Sequence, residues 1–170
     1  AWTTRVVPGP NGSRPLITGG EGKGDLFTSE LARICGSVLA VGGVLYVSTS
    51  DNAWAINAYD GHVIWHFNWK TRGGWHFCNR GLGMWGDYLY LETPDDYLVS
   101  LDSRTGRERW HVEIASFDEQ YFASTAPVVI DNHVLVGVGN TLNAPGFLQS
   151  FDPETGKLQW KRYSVPMNPG

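Results

Sequence analysis

Two short runs carry the side chains best suited to hold an acidic small molecule. Asn79-Arg80-Gly81 places a guanidinium between an amide and a glycine, and Ser124-Thr125-Ala126-Pro127 offers two adjacent hydroxyls. A guanidinium presents its N–H donors as a rigid fork that grips a carboxylate with two parallel bonds, a geometry lysine does not reproduce. A serine or threonine hydroxyl donates and accepts, so it can join such a grip or bond its own turn. The plainer alternative for Arg80 is a solvated loop position, or a pair with a carboxylate of its own structural unit. Other candidates lead less far. His62 and His66 stand four apart on an expected strand and could face one side, but zinc takes three or four ligands. His76 and His133 are expected in loops or turns. The glycine-rich run at 19–24 lacks the Gly-Lys-Ser/Thr ending of a phosphate-binding loop.

The elements that must position these residues are written in a repeat. Ala55-Ile-Asn57-Ala-Tyr-Asp60-Gly61-His-Val-Ile-Trp65 returns as Ser100-Leu-Asp102-Ser-Arg-Thr105-Gly106-Arg-Glu-Arg-Trp110, and again as Ser150-Phe-Asp152-Pro-Glu-Thr155-Gly156-Lys-Leu-Gln-Trp160. The tryptophans lie 45 and then 50 residues apart, a spacing that suits one β-propeller blade. Each copy reads as a hairpin. The Asp or Asn ends a strand and accepts backbone N–H bonds from the turn, and the glycine supplies the φ > 0 position that closes it. The tryptophan then lies on the next strand, where a side chain burying about 150–250 Å² most simply packs against the neighbouring blade. Upstream of each hairpin, runs at 38–41, 82–85 and 127–130 lead through turns at 42–43, 86–87 and 131–132 into β-rich runs at 44–48, 88–92 and 133–137. Four strands per unit follow, and no segment shows helical periodicity.

The fold class is therefore all-β: four-stranded antiparallel propeller blades, about three of them, at 31–70, 76–115 and 121–164. Residues 1–30 are expected to give an outer strand around Trp2 from a preceding blade, then a loop. The whole, 1–170, is one partial propeller domain, because three blades cannot close a ring that needs at least about four. Flanking sequence, a partner chain or self-assembly is expected to supply the remaining blades. Arg80 lies ten residues before Tyr90, Ser124 twelve before Val136 and Cys35 eleven before Tyr46. All three thus sit near the start of the first, innermost strand of a blade, aimed at one central place. Cys35 and Cys78 allow one disulfide, conceivable if their Cα atoms come within about 4.4–6.8 Å; packed free thiols are the preferred reading. A net charge of −4, from 13 Lys and Arg against 17 Asp and Glu, gives no basic field for nucleic acid. No apolar stretch is long enough for a membrane-spanning helix. The sequence opens without Met or a signal peptide, so it is expected to be processed or cut from a longer chain.

The three repeats resemble the tryptophan-docking motif of the dehydrogenases that depend on pyrroloquinoline quinone (PQQ), the alcohol- and methanol-dehydrogenase-like quinoproteins, over about residues 35–170. The segments at 79–83, 121–127, 145–156 and 165–170 are similar to family sequence. The resemblance implies an eight-bladed propeller with PQQ and a calcium or lanthanide ion near its axis. It implies a periplasmic or otherwise exported enzyme that oxidises primary alcohols, polyols or sugars. Arg80 matches the arginine that pairs with the cofactor. Ser124 stands where the family usually has Thr, with Thr125 as a substitute. Gly139, Asn140 and Thr141 occupy the region that cradles PQQ and supplies a metal carboxylate, yet no Asp or Glu stands there, so the metal ligands are unassigned. Gly74 and Trp75 replace two adjacent cysteines, and Cys35 or its neighbour replaces a glutamate that contacts PQQ. The family's catalytic Asp comes from later blades, so no catalytic residue is assigned and this chain alone is not expected to be active. The alternative is a non-catalytic propeller scaffold built on the same repeats, like the outer-membrane assembly lipoproteins.

Overall fold

A computed structural model describes residues 1–4, 6, 34–72, 78–140 and 144–165. The first sheet joins β1 (Leu39–Val41), β2 (Val44–Ser48), β3 (Asn52–Asn57) and β4 (Val63–Asn68) in that order. The second repeats the arrangement with β5 (Gly83–Trp85), β6 (Tyr88–Glu92), β7 (Tyr97–Asp102) and β8 (Glu108–Glu113). A short strand, β9 (Tyr121–Phe122), precedes the third sheet of β10 (Val128–Ile130), β11 (His133–Asn140), β12 (Phe147–Phe151) and β13 (Leu158–Tyr163). It pairs with the far end of β11, Phe122 opposite Gly139 and Tyr121 opposite Asn140. Every pairing is antiparallel between consecutive strands, apart from that addition. A 3-10 turn at Phe117–Glu119 is the one helical segment among the described residues.

The chemistry of the repeat sets each outer hairpin. The Asp102 carboxylate accepts the N–H groups of Arg104 and Thr105 at 3.1 and 2.8 Å and the Thr105 hydroxyl at 2.7 Å. Asp152 does the same for Glu154 and Thr155. These donors favour the charged form, so both carboxyls titrate below the usual range. Just past each tryptophan pairing the ladder carries a bulge, between Ala55 and Ile56, Ser100 and Leu101, and Ser150 and Phe151. A bulge adds local twist to the sheet. It recurs where Trp65, Trp110 and Trp160 pair with Ala55, Ser100 and Ser150.

The tryptophans tie sheet to sheet. Trp65 lies over Gly106 of the second sheet, so closely that a Cβ there would stand 2.6 Å from the indole. Its Nε1 donates to the Ser103 carbonyl at 2.8 Å. Trp110 covers Gly156 of the third sheet in the same way, with 2.7 Å to a Cβ. Trp2 repeats the contact on Gly61 of the first sheet and donates to the Ala58 carbonyl at 3.2 Å. The junction of sheets two and three differs in one respect. There the Pro153 carbonyl accepts the Tyr90 hydroxyl at 2.9 Å and Arg109 at 3.3 Å, and the buried Trp110 Nε1 is without a partner. Between the sheets, Leu89, Leu91, Val99 and Leu101 pack with Tyr46 and Trp65, and Tyr90 and Leu98 pack with Val134 and Val136. No helix among the described residues is long and apolar enough to cross a membrane.

Gly106 combines φ +69° with the indole in contact, so Gly106→Ala adds backbone strain to overpacking and is expected to destabilise by about 2–4 kcal/mol. Gly137 has an ordinary φ and nothing within 4 Å of a Cβ, so Gly137→Ala is expected to change stability by less than about 1 kcal/mol. Urea unfolding of the two variants checks the contrast.

Candidate functional site

The starts of the innermost strands lie side by side. Gly36 leaves no room for a Cβ against the main chain of Arg80 and Gly81, and Gly83 none against the Pro127 carbonyl. The Cα atoms of Cys35 and Cys78 come to 5.5 Å and the two sulfurs are bonded. This corrects the expectation of packed free thiols: near-equivalent positions on adjacent blades fall at disulfide distance, so the bond staples the first blade to the second. Between the second and third blades the link is Arg80. Its N–H donates to the Ser124 carbonyl at 3.1 Å, and its Nη1 reaches the Ser124 hydroxyl at 2.8 Å and the same carbonyl at 3.4 Å. Arg80 is nonetheless exposed. A cation held this way, with donors left over, can receive an anion.

Beneath this pair lies a buried polar layer. Asn79 is 2% exposed; its side-chain oxygen accepts the Ser48 hydroxyl at 2.7 Å and the Gly81 N–H at 2.8 Å, and its Nδ2 donates to the Glu92 carbonyl at 3.0 Å. Glu92, at the end of β6, is 1% exposed. Its carboxyl group meets Thr125 twice, with the N–H at 2.8 Å and the hydroxyl at 2.8 and 2.9 Å from its two oxygens. Burial pushes the Glu92 carboxyl up to about 8, against the opposing pull of Thr125 and Arg80 and with the help of nearby Asp96. Asp96, at φ 64° in the turn after β6, is pushed up to about 7 by burial, then by Asp95 and Glu113. Both its oxygens are buried without a donor. Asp95 beside it is satisfied by Trp69 at 2.8 Å, Thr93 at 2.7 Å and the Arg72 N–H at 2.9 Å.

Of the residues singled out from sequence, Arg80 and Ser124 are in direct contact and Thr125 adjoins them, its hydroxyl directed to Glu92. Gly139 and Asn140 end β11 opposite β9; Gly139 lies against the Phe122 ring, and Asn140 donates to the Glu119 carbonyl at 2.8 Å. Thr141 lies outside the described residues. His66 stacks on Trp54 at 4.8 Å and bonds Asn52, whereas His62 bonds Asp60. Sequence reasoning named Asn79 only as part of the Arg80 run and passed over Glu92. The available signal was the acidic cluster Glu92-Thr-Pro-Asp95-Asp96 closing an otherwise apolar strand.

The Glu92 titration carries a sign. A carboxyl whose pKa is raised on folding prefers its neutral form in the native state, so the native state holds more protons than the unfolded chain between 4.5 and about 8. Stability therefore falls as pH rises through that window. Glu92→Gln keeps an acceptor and a donor for Thr125 without the titration. Relative to wild type, the variant is expected to gain about 1 kcal/mol per pH unit across the window in thermal unfolding.

A family model of PQQ-type repeats, described as "Outer membrane protein assembly factor BamB", matches residues 2–165. The quinohemoprotein alcohol dehydrogenase ADH IIB of Pseudomonas putida is 33% identical over 135 residues, which are 75% of this chain and 20% of that protein. Among solved structures, the quinohemoprotein alcohol dehydrogenase of Comamonas testosteroni superposes with a TM-score of 0.73 at 27% identity, over 81% of this chain and 22% of that one. A europium-containing methanol dehydrogenase superposes with a TM-score of 0.69, over 79% of this chain and 27% of that one; at 23% identity it bears on the fold alone. The chain spans about 20% of the length of the curated relatives it matches. With three propeller blades in hand and a match running through nearly the whole sequence, the chain belongs to the PQQ-repeat β-propeller family, and its relatives include quinoprotein alcohol dehydrogenases.

Proposed function

We propose that the chain forms part of the cofactor-binding wall of a PQQ-dependent dehydrogenase that oxidises alcohols, polyols or sugars in an exported or periplasmic setting. The remaining blades of an eight-bladed propeller, and the base that takes the substrate proton, come from elsewhere in the molecule. The observation that carries this reading is the exposed Arg80 guanidinium at the inner end of the blades, anchored by Ser124 through one nitrogen only. When bound, PQQ supplies a quinone that accepts the hydride equivalent of an alcohol oxidation. Its carboxylates suit the unengaged donors of Arg80, so the residues fit the cofactor's acidic character. Arg80 and Ser124 would hold it, with Gly139, Asn140 and Thr141 completing that wall. Thr125 supports Ser124 from behind through Glu92. The cross-blade disulfide is in keeping with an oxidising compartment.

The described residues give no ligand set for calcium or a lanthanide. Calcium takes six to eight oxygen ligands, and among the described residues no group of three or more His, Cys, Asp or Glu could hold a metal ion. No metal role is assigned to them. The second reading is a non-catalytic scaffold, favoured by the description of the matching family model.

Titrating the intact protein with PQQ, with and without Ca²⁺, and following absorbance separates the two readings. Saturable binding that Arg80→Ala weakens about 10–100-fold, the scale of a lost charge-assisted contact, is the expected result. Absence of saturable binding, or binding unaffected by Arg80→Ala, would favour the scaffold.

A further inference from the structure

The residue that touches both neighbours of the Arg80–Ser124 pair is Glu92. Its main-chain carbonyl receives Asn79, the residue before Arg80, at 3.0 Å. Its carboxyl group receives Thr125, the residue after Ser124, through both the N–H and the hydroxyl. Asn79 lies just before β5, the innermost strand of the second blade, and Thr125 just before β10, that of the third. One buried residue, through its main chain on one side and its carboxyl group on the other, therefore sets how far apart these two stretches stand. The Arg80 N–H to Ser124 carbonyl bond, at 3.1 Å, spans the same gap.

We propose that Glu92 is the positioning residue of the Arg80–Ser124 pair: clasping Asn79 with its main chain and Thr125 with its carboxyl group, it holds Arg80 where an acidic ligand can be received. The clasp works with the acid neutral. A neutral carboxyl can accept the Thr125 N–H on one oxygen and share a proton with the Thr125 hydroxyl on the other, leaving no buried charge. Once ionised, it is a carboxylate out of water whose positive neighbour among the described residues is Arg80, with Asp96 opposing it. The Thr125 donors favour the charge but burial opposes it more strongly, so release of the carboxylate to water becomes easier as pH rises towards about 8. Ionisation also sets a negative charge competing with the ligand's carboxylates for the Arg80 guanidinium. Both effects act in one direction: the clasp opens more readily as pH rises towards about 8, and affinity for acidic ligands falls as the carboxyl ionises there.

Only the ligand step rests on the reading of Arg80 as a PQQ contact, and the test separates the two. Hydrogen exchange of the Arg80 amide is measured by NMR in the intact protein without PQQ, as protection factors from about pH 6 to about pH 9, and PQQ affinity is measured over the same range. Expected for wild type is a protection that falls by about tenfold per pH unit up to about 8 and levels off above it, whereas in Glu92→Gln it is flat. Thr125→Val, which removes the hydroxyl half of the clasp, is expected to lower protection at every pH, and Thr125→Ser to restore it. PQQ affinity is expected to follow the same profiles. Wild-type protection that is flat with pH, or a Glu92→Gln profile that follows wild type, would overturn the proposal, even with PQQ binding and its loss in Arg80→Ala intact. Titrating protection without any PQQ binding would uphold the positioning role and sink the cofactor reading instead.

Discussion

An indole laid over a glycine turn is the contact on which this structure depends. Each blade presents a tryptophan on its outermost strand, and the next blade presents a turn whose glycine has both φ > 0 and no side chain in the way. The two requirements coincide at one residue. The same glycine that closes the hairpin also leaves the flat surface that the ring covers. Because the contact recurs with the same bulge beside it, successive sheets take up like relations to one another. Strands within a blade are held by local ladders, but the placement of one blade on the next comes from these rings and the apolar layer between sheets.

That outer constraint acts at the opposite margin of each sheet. With the outer hairpins fixed, the starts of the innermost strands come so close that Gly36 and Gly83 have backbone where a side chain would be. Close approach buries polar groups, and each must find a partner or lose solvation free energy. The solution is a hydrogen-bonded chain across all three blades: Ser48 to Asn79, Asn79 to Glu92, Glu92 to Thr125. Arg80 and Ser124 lie above this chain, supported by it while their own polar groups still meet solvent. The disulfide between Cys35 and Cys78 closes the first of the two blade junctions covalently.

The legible part of this arrangement was whatever the chain encodes within a hairpin. Asp102 and Thr105, or Asp152 and Thr155, satisfy one another over three residues, so their turns are written in consecutive letters. The contact of Arg80 with Ser124 could be anticipated because both stand at the same place in successive units. Glu92 could not. As the last residue of an ordinary β-rich run it looks like a solvated strand end, and its burial depends on blade three arriving above it. The thiols are a similar case, since spacing along the chain gives no distance across a blade junction. Thr125, read from the resemblance as a substitute for Ser124, turns its hydroxyl to the buried acid, a contact that depends on Glu92 of the neighbouring blade. Asn140 ends a strand lengthened by pairing with β9, a pairing that sequence alone did not show.

A crystal structure of the intact protein soaked with PQQ tests most directly whether blade stacking builds a binding wall. The expected density shows Trp65 and Trp110 seated on Gly106 and Gly156, with a cofactor carboxylate in hydrogen-bond reach of Arg80. Blades stacked without those indole contacts, or PQQ bound away from the Arg80–Ser124 pair, would contradict it.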